Sequence, residues 1–212
     1  MEDQAISSLD KTWRISEEFS DFYPIKTIRR IDKRGLASAV VEGIKETNND
    51  IIVVMDGDLQ HSPGRIPNLI KWIKKGKELV ICSRFVEGGD PGDFGFLRRL
   101  ISFGATFIAK TIFRETRSIK DIQSGFFAFK KEGINLEELK PKGYKILIEI
   151  LVHSDFHSFK EIGYKFRNRE YGDSKLGFKE IFNYIHHILS LSYRSGELKR
   201  FIKFGFVGTV GS

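Results

Sequence analysis

The run Ile51-Ile52-Val53-Val54-Met55 is wholly apolar, and its first four residues are β-branched. Such a run reads as a buried strand. It opens directly into Asp56-Gly57-Asp58-Leu59-Gln60-His61, which sets two carboxylates one residue apart at the strand's exit. In an α/β sheet, ligands bind beyond the carboxyl ends of the strands. Asp56 and Asp58 can share one hard divalent cation, with the Gln60 amide oxygen beside them. Such a cation neutralises a diphosphate leaving group, so the pattern points toward metal-assisted chemistry on a sugar nucleotide. The same residues also make an ordinary turn, and the motif alone leaves both readings open.

Helix and strand signals alternate around this feature. Ser7 or Ser8 caps a helix reaching about Phe19, with Leu9, Trp13 and Ile15 turned inward. Pro24 ends it, and Ile25 to Arg30 reads as a short strand. A helix over Leu36 to Thr47 leads through the Asn48-Asn49-Asp50 turn into the Ile51 strand. Ile66, Leu69, Ile70 and Ile73 recur at helical spacing. Strands are expected at Glu78 to Ser83, Phe126 to Lys130 and Phe159 to Phe166. Helices are expected at Phe96 to Phe113 and Lys145 to His153, and Gly88 to Gly92 makes a loop. This alternation predicts an α/β sheet with helical crossovers. Beyond it, Phe178, Ile181, Phe182, Ile185, Ile188 and Leu189 form one apolar helix face, and Leu198, Phe201 and Ile202 begin another amid Lys199, Arg200 and Lys203. Apolar stripes with basic flanks suit a helix lying on a bilayer, or equally one packed on the domain's own core.

At 212 residues and 41% hydrophobic, the chain can bury a sizeable core. Its single cysteine, Cys82, excludes an intrachain disulfide, fits a reducing compartment, and lies in an apolar run suited to packing. The five histidines show no ligand spacing, and adjacent His186 and His187 cannot face one site from a helix. A net charge of +7 allows nucleic acid, anionic lipid or phosphorylated substrates. The lack of a long basic block or a nucleic-acid motif lowers the first. Met1-Glu2-Asp3-Gln4 does not resemble a secretory leader, and no apolar run reaches spanning length. Phe201 to Ser212 reads as the start of a hydrophobic segment.

Val53-Val54-Met55-Asp56-Gly57-Asp58-Leu59-Gln60-His61-Ser62-Pro63 resembles the metal-binding segment of the dolichol-phosphate mannose synthases, within the family 2 glycosyltransferases. Further segments match in the same order. They are Ile28-Arg29-Arg30 with Gly35 to Val40, Ser83-Arg84-Phe85, Arg98 to Ser102, Ile119 to Ala128, Gly143 to Leu147, and Gly172 to Leu176. The likeness runs from about Ser8 onward and is strongest to the microbial type, which carries a membrane domain behind the catalytic one.

The resemblance implies a GT-A-like (Rossmann-like) mixed α/β sheet with helices on both faces, incomplete at its N-terminus and followed by amphipathic membrane-interface helices. It implies a catalytic domain over residues 1–176 and interface helices with the start of a membrane segment over 177–212. The implied donor is GDP-mannose, the acceptor a polyisoprenyl (dolichyl) phosphate, and the outcome inversion at the anomeric carbon. Asp56, Asp58 and Gln60 would hold Mg²⁺ or Mn²⁺, with Asp58 in a catalytic role. Arg84 and Arg98 would grip the acceptor phosphate, aided by Ser102, because a guanidinium can donate two hydrogen bonds to one phosphate. Lys145, Arg169 and Lys175 align with residues that contact phosphates or close over the donor. Asp121 and Ser124 fall in a loop beside the sugar, where Asp121 orients mannose hydroxyls or caps a turn. The implied location is the membrane surface, with the catalytic domain on the cytoplasmic side, and no nucleic acid is expected as partner.

The departures from the family pattern are equally specific. Its members open with a strand–helix–strand unit ending in paired aspartates, roughly 30 residues of such architecture, and no such unit precedes Ser8; Glu2-Asp3 would be its only trace. The usual middle Ala of the metal motif is Gly57. Two other readings follow from these departures: a catalytically silent, membrane-peripheral remnant, and a glucosyltransferase that uses UDP-glucose.

Overall fold

The computed structural model describes residues 12–30, 35–92, 96–140, 145–166 and 178–197; over 96–102 and 178–183 it describes the backbone alone. The elements are α1 (Thr12–Ser20), α2 (Leu36–Glu46), β1 (Ile51–Val54), α3 (Ile66–Lys74), β2 (Leu79–Ser83), α4 (Phe96–Ile112), β3 (Phe127–Lys130), α5 (Ile146–Val152), β4 (Phe159–Gly163) and α6 (Phe178–Arg194). The four strands form a mixed sheet in the order β1-β3-β2-β4. β3 runs antiparallel to both β1 and β2, and β4 runs parallel to β2.

Successive side chains on a strand point to opposite faces, and here each face has its own core. Leu79, Ile81, Phe127 and Phe129 point into the larger cluster with α2, α4, α5 and α6. Val80, Cys82 and Ala128 point the other way, joining Leu69 and Ile73 of α3, Phe126 and Tyr164. Every residue of β2 is buried because helices cover both of its faces. The expected mixed sheet with helices on both faces is therefore the one observed, and Cys82 packs within it.

Three expectations need correction. Ile25 to Arg30 is not a strand. No ladder partner meets it among the described residues; its side chains tie it to helices instead. Arg30 donates to Glu42, to Ser38 and to the Gly35 carbonyl, Lys26 pairs with Glu46, and Thr27 bonds Ser16. Second, α1 buries none of its residues: Ile15 is 54% exposed, and Trp13 lies under the Arg29 guanidinium at 3.8 Å. Leu9 lies outside the described residues. Third, the apolar stripe of α6 is two faces rather than one. Tyr184, Ile188 and Leu191 enter the larger core, whereas Ile185, Leu189 and Tyr193 face outward. The Tyr184 hydroxyl seats α6 on α4 by donating to the Ala105 carbonyl at 3.0 Å.

α5 and α6 meet around Glu149, a fully buried carboxylate. Arg194 donates to both of its oxygens at 3.0 and 3.2 Å, and the Lys140 backbone N–H donates to Oε1 at 2.9 Å. The buried His187 stands 3.6 Å from Oε2. His186, its neighbour in sequence, is exposed, as adjacent positions on a helix require.

Candidate active site

β1 and β2 run in the same direction, and the chemistry-bearing loops leave their carboxyl ends. After β1 the chain turns sharply, with Leu59 at φ 63°, a left-handed conformation rare for a branched side chain. The turn lets Asp58 Oδ1 accept the Gln60 backbone N–H at 3.2 Å. Asp56, Asp58 and Gln60 are all half-buried along this turn.

His61 anchors the loop from beneath. It is 3% exposed, stacks on Phe126 with ring centroids 5.2 Å apart, and meets Tyr164 and Phe166 edge-on. Burial lowers its pKa to about 4, against the opposing pull of Asp58. At neutral pH the ring is therefore neutral, and its Nδ1 accepts the Asp56 backbone N–H at 3.4 Å. The Arg84 guanidinium carbon lies 5.7 Å from the centre of the Phe166 ring, which itself meets His61, so the carboxylate loop and the arginine after β2 share one neighbourhood.

The arginine side is built on the segment 119–126. Arg84 follows β2 directly. Its Nε donates to Asp121 Oδ2 and its Nη2 to Oδ1, each at 2.8 Å, and its backbone N–H donates to Oδ2 at 3.0 Å. The Asp121 side chain is fully buried. Although burial disfavours the charged guanidinium, the hydrogen bonds and charge of Asp121 prevail and raise its pKa above the usual value. Two carboxylate oxygens of Glu161 in turn accept the backbone N–H groups of Lys120 (2.8 Å) and Asp121 (3.0 Å).

Ser124 donates its hydroxyl to the Cys82 carbonyl at 2.7 Å and accepts the Phe126 N–H at 3.2 Å, which clips the segment to the end of β2. Gln123 reaches Thr106 of α4 at 3.0 Å, and Lys145 Nζ donates to the Gln123 carbonyl at 3.4 Å. Gly125 closes the ring of contacts: a Cβ there would lie 2.6 Å from Asp56 Oδ2. Any larger residue there would have to displace the Asp56 carboxylate.

Seven of the residues singled out from the sequence thus gather in one region: Asp56, Asp58, Gln60, Arg84, Asp121, Ser124 and Lys145. Arg98 and Ser102 lie on the first turns of α4, where the backbone alone is described, and Arg169 and Lys175 lie outside the described residues. Two contributors were not foreseen. His61 stood within the motif but carried no sign that its ring would be buried under it. Glu161 sits in an alternating strand pattern, where a charged residue reads as solvent-facing.

The donor set fits a hard divalent cation. It is two carboxylates and an amide oxygen on one turn, with no soft ligand. Among the described residues no group of three or more His, Cys, Asp or Glu side chains is placed to hold a metal ion. Two carboxylates and an amide oxygen are donor types that Mg²⁺ or Mn²⁺ takes together with substrate phosphate oxygens.

Comparisons with known proteins agree with this geometry. The chain is 46% identical over 204 residues to a dolichol-phosphate mannosyltransferase of Pyrococcus furiosus, covering 96% of this chain and 58% of the relative. It is 34% identical to the Mycosarcoma maydis enzyme of the same name, covering 81% and 59%, and 31% identical to that of Saccharomyces cerevisiae, covering 80% and 65%. The chain therefore spans about 58–65% of the length of these curated relatives. Among solved structures, it superposes on Mycobacterium tuberculosis glucosyl-3-phosphoglycerate synthase in complex with Mn²⁺, UDP-glucose and phosphoglyceric acid. That match has a TM-score of 0.56 and 18% identity, over 76% of this chain and 55% of that one. The same enzyme with Mg²⁺ and UDP matches with a TM-score of 0.56 and 17% identity, over 76% and 55%. At such identity the likeness concerns the fold alone, which is GT-A-like. The family model for glycosyl transferase family 2 matches residues 7–135, a span that takes in α1, the carboxylate loop, the Arg84–Asp121 pair and β3, and the chain belongs to that family.

Proposed function

We propose that this chain carries the catalytic surface of a metal-dependent, inverting mannosyltransferase that moves mannose from GDP-mannose to a polyisoprenyl (dolichyl) phosphate. The observation that carries the reading is the meeting of two anion-handling groups around His61. The Asp56–Asp58–Gln60 turn lies on one side and the Arg84–Asp121 pair on the other, with Gly125 packed against Asp56. The similarity to dolichol-phosphate mannosyltransferases supports the choice of sugar and acceptor.

In this reading an oxygen of the acceptor phosphate attacks the anomeric carbon. The new C–O bond forms as the bond from that carbon to the GDP diphosphate breaks, and the configuration inverts. A phosphate monoester is largely dianionic at neutral pH, its second pKa lying near roughly 6, so the nucleophile needs no protein base. The chain's own work is positioning two anions and stabilising charge. Arg84, with Arg98 and Ser102 from α4, holds the acceptor phosphate, and Lys145, Arg169 and Lys175 attend the donor phosphates. Asp56, Asp58 and Gln60 would hold Mg²⁺ or Mn²⁺, a cation that would supply charge neutralisation for a diphosphate.

Exposed apolar side chains on α4 and α6 support a lipid acceptor. Phe103 and Phe107 of α4 are 71% and 64% exposed, and Leu189 and Tyr193 of the adjoining α6 are 51% and 68% exposed. Each pair is four residues apart on one helix face, which suits contact with a bilayer surface. Among the described residues no helix is long and apolar enough to cross a membrane. We assign these two helix faces to a membrane surface, with the catalytic domain on its cytoplasmic side.

The test is transfer of radiolabelled mannose from GDP-mannose into an organic-extractable product, with dolichyl phosphate and Mn²⁺ supplied. Transfer that stops on chelation is expected. A folded chain that binds both substrates yet transfers nothing would refute the reading.

A further inference from the structure

We infer that Glu161, on β4, is a positioning residue for the acceptor-phosphate arginine, acting through Asp121; the inference rests on the mannosyltransferase reading, which makes Arg84 a phosphate ligand. β4 pairs parallel with β2 in a register that sets Ile81 beside Glu161 and Ser83 beside Gly163. Glu161 therefore sits three residues short of the β2 exit where Arg84 begins. From there its two oxygens take two successive backbone N–H groups, Lys120 at 2.8 Å and Asp121 at 3.0 Å. Two bonds from consecutive amides to one carboxylate define the orientation of the peptide between them, and charge-assisted bonds of this kind are among the stronger ones.

The orientation matters because of what Asp121 does next. Its side chain is fully buried and accepts three hydrogen bonds from Arg84, one from the backbone and two from the guanidinium. A guanidinium gripped along one edge by a fixed carboxylate presents its plane in one direction. Planar recognition of a phosphate depends on that direction. Glu161 does not reach the reacting atoms; it sets the frame from which Arg84 does.

A general structural role would act differently. The segment is pinned again at Ser124, whose hydroxyl bonds the Cys82 carbonyl at 2.7 Å. Gly125, beyond that clip, is the residue packed against Asp56. A disturbance at Lys120 and Asp121 thus reaches Arg84 directly, whereas it reaches the carboxylate loop only by way of Ser124, whose N–H donates to the Asp121 carbonyl at 3.3 Å and whose hydroxyl is tied to β2. Loss of Glu161 is therefore expected to weaken acceptor-phosphate binding and to spare metal–nucleotide binding.

The experiment uses the full chain and its Glu161→Gln and Glu161→Asp variants. Binding is measured to dolichyl phosphate in neutral detergent micelles and, separately, to GDP with Mn²⁺. Replacing the carboxylate by an amide is expected to weaken dolichyl-phosphate binding about tenfold, the scale of one charged hydrogen bond, with GDP–Mn²⁺ binding changed less than about twofold. Glu161→Asp, which keeps the charge, is expected to recover part of the loss. Equal weakening of both ligands, or unchanged dolichyl-phosphate binding in both variants, overturns the assignment of Glu161 alone. An unsubstituted chain that binds GDP–Mn²⁺ but no dolichyl phosphate overturns the transferase reading, and the Glu161 assignment with it.

Discussion

Arg84 and Asp121 meet edge to edge, Nε on Oδ2 and Nη2 on Oδ1, both at 2.8 Å. The carboxylate is fully buried and the guanidinium side chain is 11% exposed. Lysine cannot reproduce this fork, because an ammonium is a point donor on a flexible stem. Arg84→Lys is expected to destabilise the fold by about 1–3 kcal/mol through the imperfectly paired Asp121. It should also abolish most transfer. Urea unfolding alongside transfer assays checks both, and a variant with unchanged stability would show that the pair is not held as described.

Asp58 lies outside the buried core, and its loss costs the fold little beyond the Gln60 N–H bond of the turn, about 1 kcal/mol. Asp58→Ala is expected to cut metal-dependent transfer by about 10²–10³-fold. Its unfolding midpoint should stay near that of the parent chain. Mn²⁺ binding followed by the quenching of the free-ion resonance gives a direct reading; retained Mn²⁺ affinity with full transfer would remove Asp58 from the metal site.

Gly125 tests the packing of the two halves of the site. A Cβ there would lie 2.6 Å from Asp56 Oδ2 and 3.4 Å from His61 Cε1. Gly125→Ala must push the Asp56 carboxylate aside, a shift at the far end of a flexible side chain that costs the fold little and moves a candidate ligand. The expected result is weaker Mn²⁺ and GDP binding with the sheet intact by circular dichroism.

His61 makes stability depend on pH with a defined sign. Burial lowers its pKa to about 4 from 6.5, so the unfolded chain takes up a proton at higher pH than the native chain does. Its contribution is fully present above pH 6.5 and is lost as pH falls from 6.5 toward 4. The loss approaches about 3 kcal/mol once the shift is fully expressed. Urea unfolding across that window should show the decline, and His61→Gln should flatten it.

Arg194→Ala leaves Glu149 buried without its main cationic partner. Breaking a buried pair from one side costs about 3–5 kcal/mol, and the 23% exposure of the Arg194 side chain favours the lower figure. The double change Arg194→Ala with Glu149→Leu should recover much of the loss, because it removes the stranded charge as well. Chemical denaturation of both variants decides the point.

What the residues determine by themselves is local. Apolar and β-branched runs placed all four strands near their observed bounds, because hydrophobic periodicity is written in neighbouring residues. The Asp56–Gln60 turn could be read as a ligand site because its donors are contiguous in the chain. Ile25 to Arg30 failed on the same logic: its composition suits a strand, but a strand also needs a partner ladder, and its own side chains bind it to helices.

Only the tertiary structure decided the rest. Asp121 and Arg84 lie 37 residues apart and Glu161 stands 40 beyond Asp121, so no spacing rule links them. His61 becomes a neutral anchor solely because Phe126, Tyr164 and Phe166 close around it from distant parts of the chain. Glu149 is charged in sequence and wholly buried in the fold because Arg194 arrives from another helix. Burial and partnership are properties of packing between remote segments. They set the protonation and orientation of these groups, and a linear reading carries the groups without their partners.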